Sequence, residues 1–225
     1  MSYIGVATFL MEFYRYSLAF AVVVILFLFK RLNSYHKALG IYLGLMLLAE
    51  ISSSVIGTIY KNNHIVMPFY ALTELLFFSF FYKTFFLRNK FTKFFLPPVV
   101  MGVLFIVYEL MYNFILHSPD PYTYQPYSKT VDNAIILAMA FSVLNVNMSS
   151  ATGRFGWDGF WFNIIVVLFF TYNTIFFLPF NFMVNAPMEW KFLFWMSNTF
   201  SIIGFYGYLT VRVVKYAFTM QKVKA

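Results

Sequence analysis

The chain has 225 residues, of which 61% are hydrophobic, 24% aromatic and 11% charged, and its mean hydropathy is +0.73. Soluble domains carry about 45–50% apolar and about 25% charged residues, so this composition excludes a water-soluble globule and a disordered chain. The formal charge of +8 needs another explanation, and the lack of cysteine excludes disulfides, thiolate metal sites and a cysteine nucleophile.

A bilayer-crossing helix needs about 20 mostly apolar residues. Seven such runs are read in chain order, at 8–29, 38–60, 64–86, 94–116, 128–149, 159–180 and 190–214. The N-terminus before the first lacks a basic region, and no small-residue cleavage site follows, so it reads as a retained span and not a secretory signal. The connections are short: Lys30-Arg31 to Lys37, then Lys61-Asn62-Asn63, then Arg88-Asn89-Lys90 through Lys93. The longest, 117–127, carries Pro119, Pro121 and Pro126, which break helix. No stretch between runs is long enough for a soluble domain. The expected fold is therefore all-α: a single transmembrane domain over 1–225, a bundle of seven helices.

The Lys and Arg residues orient this bundle. Seven spans put Arg15, Lys61, Lys129 and Lys191 on one side and the other twelve of the 16 on the opposite side, with the C-terminus. Cytoplasmic loops hold the excess of positive charge, so the N-terminus is expected outside and the C-terminus in the cytoplasm. The same asymmetry accounts for the basic balance with no nucleic acid as partner. Tyr3, Tyr60, Tyr122, Tyr124 and Trp190 at the outer edge, and Trp157 and Trp161 at the inner one, form the expected interfacial belt. The layout allows a three-plus-one-plus-three grouping of spans. In that respect alone it is similar to small seven-helix transporters and receptors of the SWEET and KDEL-receptor kind, whose Pro-Gln pair is absent here.

Ionisable side chains inside the hydrocarbon layer cost about 2.5–3.5 kcal/mol each on insertion scales and usually face the bundle interior. Glu50 and Glu74 fall near mid-depth of spans 2 and 3, with no obvious cation at their depth. Glu50, Ser53, Ser54 and Gly57 share one stripe of a helix, and Tyr70 lies one turn before Glu74. Asn173 in span 6 and Ser197-Asn198-Thr199 in span 7 lie at similar depths. The ligand- or proton-binding candidates are therefore Glu50, Glu74, Tyr70, Ser53, Asn173 and Asn198, lining a polar pocket that opens outward. Glu109 and Asp132 are expected at an outer vestibule, either serving it or simply reaching water. Each of these residues also has a plainer reading: a Ser/Gly stripe lets helices pack closely, a buried Asn bridges neighbours, and Glu12 with Arg15 makes a local ion pair.

Other chemistry is missing. His36, His64 and His117 are scattered among connections without metal-ligand spacing, and there is no HExxH, GxSxG or phosphate loop. Span 7 has no central lysine and no span carries spaced arginines. No catalytic residue, metal or cofactor is expected, and the chain is not expected to be an enzyme. The leading reading is a secondary small-solute transporter, proton-coupled through Glu50 and Glu74. The alternative is a membrane sensor or assembly subunit that binds an outer ligand or partner and signals to a separate cytoplasmic or membrane protein. In either case the lipid bilayer is the first partner, with the bacterial inner membrane as the expected location.

Overall fold

The computed structural model describes residues 3–117, 124–149 and 156–224. Among these residues there is no strand, and the nine α-helices are α1 (Tyr3–Leu28), α2 (Ser34–Tyr60), α3 (Val66–Tyr82), α4 (Arg88–Phe94), α5 (Leu96–Leu110), α6 (Tyr127–Ser149), α7 (Gly156–Phe177), α8 (Phe180–Asn185) and α9 (Met188–Lys224). A 3₁₀ turn follows α1, and π-helical turns over Lys83–Leu87 and Met111–Leu116 extend α3 and α5. Six helical segments are long and apolar enough to cross a membrane: Gly5–Arg31, Ser34–Tyr60, Val66–Leu87, Leu96–Leu116, Tyr127–Met148 and Trp157–Phe177. The chain is a helical, multi-pass membrane protein.

These segments correspond to the first six spans read from the sequence. The seventh, 190–214, lies in α9, which is continuous but less apolar because Ser197, Asn198, Thr199 and Ser201 interrupt its greasy run. The connection expected over Arg88–Lys93 is instead helical, since the π-helical turn carries α3 on into α4. Pro97 and Pro98 then open α5, where a missing N–H costs nothing. Ser118–Thr123, including Asp120 and Tyr122, lies outside the described residues, as does Arg154.

The chain forms two compact units, 1–59 with 186–225 and 60–185. This departs from a three-plus-one-plus-three grouping: spans 1 and 2 associate with the last helix, and spans 3 to 6 with one another. In the first unit α1 packs along α9. Ala7, Tyr14, Leu18, Ala21 and Ile25 are buried on one helical stripe of α1, while Phe9, Phe13, Phe20 and Phe27 are exposed, as a lipid-facing surface requires. Tyr42 of α2 meets the rings of Phe205 and Tyr206 of α9 at 6.3 and 6.0 Å. A Cβ on Gly40 would lie 2.7 Å from Ile25 Cγ2, so the bare backbone lets α2 approach α1.

The second unit has a denser interior. α6 packs against α7, α3 and α5, and α3 also packs against α5. Val66–Leu87 is the most deeply buried of the six membrane-length segments. Its aromatic side chains explain why: Phe78 meets Phe170 edge-on at 5.0 Å, and Phe81 meets Phe162 at 5.2 Å. The Tyr82 hydroxyl donates to Asn163 Oδ1 at 2.8 Å, tying α3 to α7 with a fully buried pair. Gly102 fixes the third side, because a Cβ there would sit 2.5 Å from Ile135 Cδ1 and 3.1 Å from Leu75 Cδ2.

Gly102→Leu is expected to force α5 away from α3 and α6 and to lower stability by about 1–3 kcal/mol in a detergent melt. Gly204→Ala in α9 meets nothing within 4 Å. It is expected to be neutral or to stabilise by about 0.5–1 kcal/mol.

Candidate functional site

Four ionisable residues of the second unit, Glu74, Glu109, Lys129 and Asp132, have their partners at or near the beginning of α6. Tyr127 opens that helix, and the buried positions 128, 129, 132, 133, 136, 139, 140 and 143 trace its inward face. Because the first turn already lies on this face, Lys129 and Asp132 turn inward together. The Lys129 ammonium donates to the Glu74 carboxylate of α3 and, at 3.0 Å, to Asp132 Oδ2 on its own helix. Glu74 is 3% exposed, Lys129 6% and Asp132 0%. The Phe170 ring of α7 lies 5.8 Å from Lys129 Nζ, so an aromatic face also meets the cation. By helical rise, Asp132 is about 8 Å and Glu74 about 12 Å into its helix. Snorkelling lysines reach outward to headgroups; this one reaches into the protein.

A second network holds the entry to α6 in place. Glu109 of α5 accepts the Ser128 N–H at 2.6 Å, the Ser128 hydroxyl at 3.0 Å and the Tyr124 hydroxyl at 2.9 Å. A carboxylate at a helix N-terminus satisfies a backbone N–H that has no partner within the helix and faces the positive end of the helix dipole. Gln125 closes the other side, donating to Phe177 O and Leu178 O at 2.7 and 2.9 Å and accepting the Asn181 N–H at 2.9 Å. Burial, and then the Glu109 carboxylate, push the Tyr124 phenol above its ordinary range, so it stays protonated and donates. His64 stands in the connection between α2 and α3, with its ring 5.5 Å from Tyr124 and 5.8 Å from Phe180. Burial holds its imidazole below the usual value, toward the neutral form.

The candidates named from the sequence are thus distributed over both units. Glu74, Glu109 and Asp132 belong to the α3–α8 unit, with Tyr70 half-buried one turn before Glu74 and Asn173 buried on α7. Glu109 and Asp132 do not line an open vestibule; both are buried, because the first turn of α6 and Tyr124 cover them. Tyr124, expected in the interfacial belt, is buried for the same reason. Glu50, Ser53 and Asn198 belong to the α1–α2–α9 unit. Glu50 Oε2 lies 3.7 Å from Arg15 Nε, and their side chains are 19% and 43% exposed. Arg15 therefore pairs across helices, while Glu12 is exposed. The expectation that Glu50 and Glu74 have no cation at their depth does not hold for either one.

Lys129 is the residue that sequence reasoning missed. Counting it as an outer-side charge hid the i, i+3 pairing with Asp132, which was the available signal. His117 Nδ1 contacts Tyr112 O at 3.0 Å, and no group of three metal-ligating side chains is found among the described residues. Comparison with protein-family models, with curated proteins and with solved structures found no match.

Breaking a buried pair leaves a charge without its partner, whereas an exposed pair is worth little. Lys129→Met is therefore expected to destabilise by about 3–5 kcal/mol. Arg15→Met, at the more exposed pair, is expected to cost about 0–1 kcal/mol by the same detergent melt. His64 gives a pH signature. The unfolded chain takes up a proton near the ordinary value of 6.5 while the folded chain resists it. Stability contributed by neutral His64 is thus present above that value and declines as pH falls below it. The melting temperature is expected to fall from pH 7.5 to pH 5, and to fall less in His64→Phe.

Proposed function

We propose that this membrane protein is a proton-coupled small-solute transporter whose coupling centre is Glu74, Lys129 and Asp132. One observation carries the reading: two carboxylates and an ammonium are buried together between membrane-length helices. An ion cluster in such a place is a poor way to gain stability, since well-packed apolar side chains do as well or better. Ionisable groups at this depth mark ion and proton pathways in membrane proteins. Two acids sharing one ammonium form a centre that changes charge by a single proton, which is what coupling requires. Glu109 of α5 binds Ser128, the residue before Lys129, and the Tyr124 hydroxyl from the connection that precedes α6.

In this reading the chain is a single membrane domain of seven spans, α9 supplying the seventh, with its N-terminus outside and its C-terminus in the cytoplasm of a bacterial inner membrane. The twelve-to-four division of Lys and Arg supports that orientation. Tyr70 and Asn173 are assigned to the surroundings of the coupling centre, and Glu50, Ser53 and Asn198 to a separate polar stripe within the other unit. No catalytic role or cofactor is assigned.

A second reading, a sensor or assembly subunit, draws on α9. Its 37 residues span about 55 Å at 1.5 Å per residue, well beyond a hydrocarbon core of about 30 Å. The excess gives a basic helical extension on which a partner can dock. A stoichiometric co-purifying partner, together with no measurable flux, favours this reading over transport.

The deciding experiment is reconstitution into liposomes with a lumenal pH dye and a panel of cationic, neutral and anionic solutes. Solute-driven proton movement is expected in the wild type and is expected to fall at least about tenfold in Glu74→Gln and in Asp132→Asn, with Glu50→Gln losing less. Unchanged proton movement in both of the first two variants overturns the assignment of the centre.

A further inference from the structure

We infer that the buried cluster on α6 is a binding site for a small primary ammonium compound, which exchanges there with a proton. The inference rests on the transporter reading and names its substrate class. Lys129 supplies the template. Its own ammonium shows that the Glu74 carboxylate, Asp132 Oδ2 at 3.0 Å and the Phe170 ring at 5.8 Å together accommodate an R–NH₃⁺ group. Acceptors on one side and an aromatic face on the other suit an organic ammonium, whereas a bare alkali ion calls for a full shell of oxygens.

Two observations point to a further cation beside Lys129. The first is charge: Glu74, Lys129 and Asp132 together carry a formal −1 when ionised. Burial in a weakly polarisable interior favours neutralising that charge, by a proton or by a cation. The second is Asn133. It is 0% exposed, and neither its Oδ1 nor its Nδ2 has a hydrogen-bond partner among the described residues. It follows Lys129 by one turn on the same face of α6, and its backbone N–H donates to Asp132 Oδ1 at 2.6 Å. A buried amide ordinarily has partners, so one left open a helical turn from Lys129 is a group prepared for a ligand. Its oxygen accepts from an ammonium, and its nitrogen donates to a hydroxyl or carbonyl on the same ligand.

The charged groups facing one another here are Lys129 and Asp132 on α6 and Glu74 from α3, with the Phe170 ring from α7 beside them, while the Glu109 carboxylate of α5 is taken up by Tyr124 and Ser128. One surplus negative charge admits one added positive charge. When a proton resides on the Glu74–Asp132 pair, the carboxyl O–H bond must break and the proton leave to water before an ammonium is held by the same oxygens. The stoichiometry is one ammonium bound for one proton released, so the coupling is exchange and not co-transport.

The test uses the full-length protein in detergent micelles, titrated calorimetrically with methylammonium in buffers of different ionisation enthalpy. About one proton released per methylammonium bound is expected, with affinity falling about tenfold per pH unit of acidification while the pair is protonated. Tetramethylammonium, which has no N–H donor, is expected to bind at least about tenfold more weakly, and Asn133→Leu to weaken methylammonium by a similar factor. Should that variant not fold, the wild-type titration decides alone. Binding without proton release, or with no pH dependence, overturns the exchange. No methylammonium binding by protein that still moves protons with another solute overturns the ammonium assignment and leaves transport standing. Binding intact without flux in liposomes overturns transport instead.

Discussion

An ammonium buried between two carboxylates is the constraint around which the second unit is built. Each partner is costly to bury alone. Lys129 and Asp132 come from the first turn of α6, and Glu74 from the middle of α3. The pairing therefore fixes the rotation of both helices and the height at which they meet. Gly102 allows α5 to close against the same two helices, and Glu109 then satisfies the N-terminus of α6. Rings from α3 and α7 fill the remaining volume. Remove the ion cluster and the buried face of α6 loses its reason to begin so close to its N-terminus.

The two units show how differently an acid behaves with exposure. Glu74 is enclosed with Lys129, so the interaction is strong and any missing partner is felt fully. Glu50 keeps access to its surroundings, and Arg15 stands 3.7 Å away with its side chain 43% exposed. The same residue type at similar depth thus has two energetic roles. The first unit is held chiefly by apolar and aromatic packing, with Tyr42 against Phe205 and Tyr206 and a bare Gly40 beneath Ile25. Polar chemistry is concentrated in the second.

Six of the helical segments were legible because hydrophobic length is a one-dimensional property, read along the chain without knowing any neighbour. The helix over Arg88–Phe94 was not, since its charges and short apolar runs resemble a connection while a π-helical turn carries the backbone through. Glu74 was legible as an unusual acid inside a greasy run. Its partner was not. Lys129 stands 55 positions away and near a helix end, where a lysine ordinarily serves the membrane interface. Tyr124 was misplaced for the same reason: aromatic residues at span edges look alike in sequence whether they face lipid or, as here, bind a buried carboxylate. Spacing within one helix, such as Lys129 with Asp132, was visible; which helices face one another depends on packing that a single sequence does not display.

The most direct measurement is a double-mutant cycle on Lys129→Met and Glu74→Gln, followed by reversible unfolding in detergent. If the two side chains form a buried pair, the double variant recovers much of what Lys129→Met loses, with a coupling energy above about 1 kcal/mol. Strictly additive losses, with coupling below about 0.3 kcal/mol, would contradict the account at its foundation.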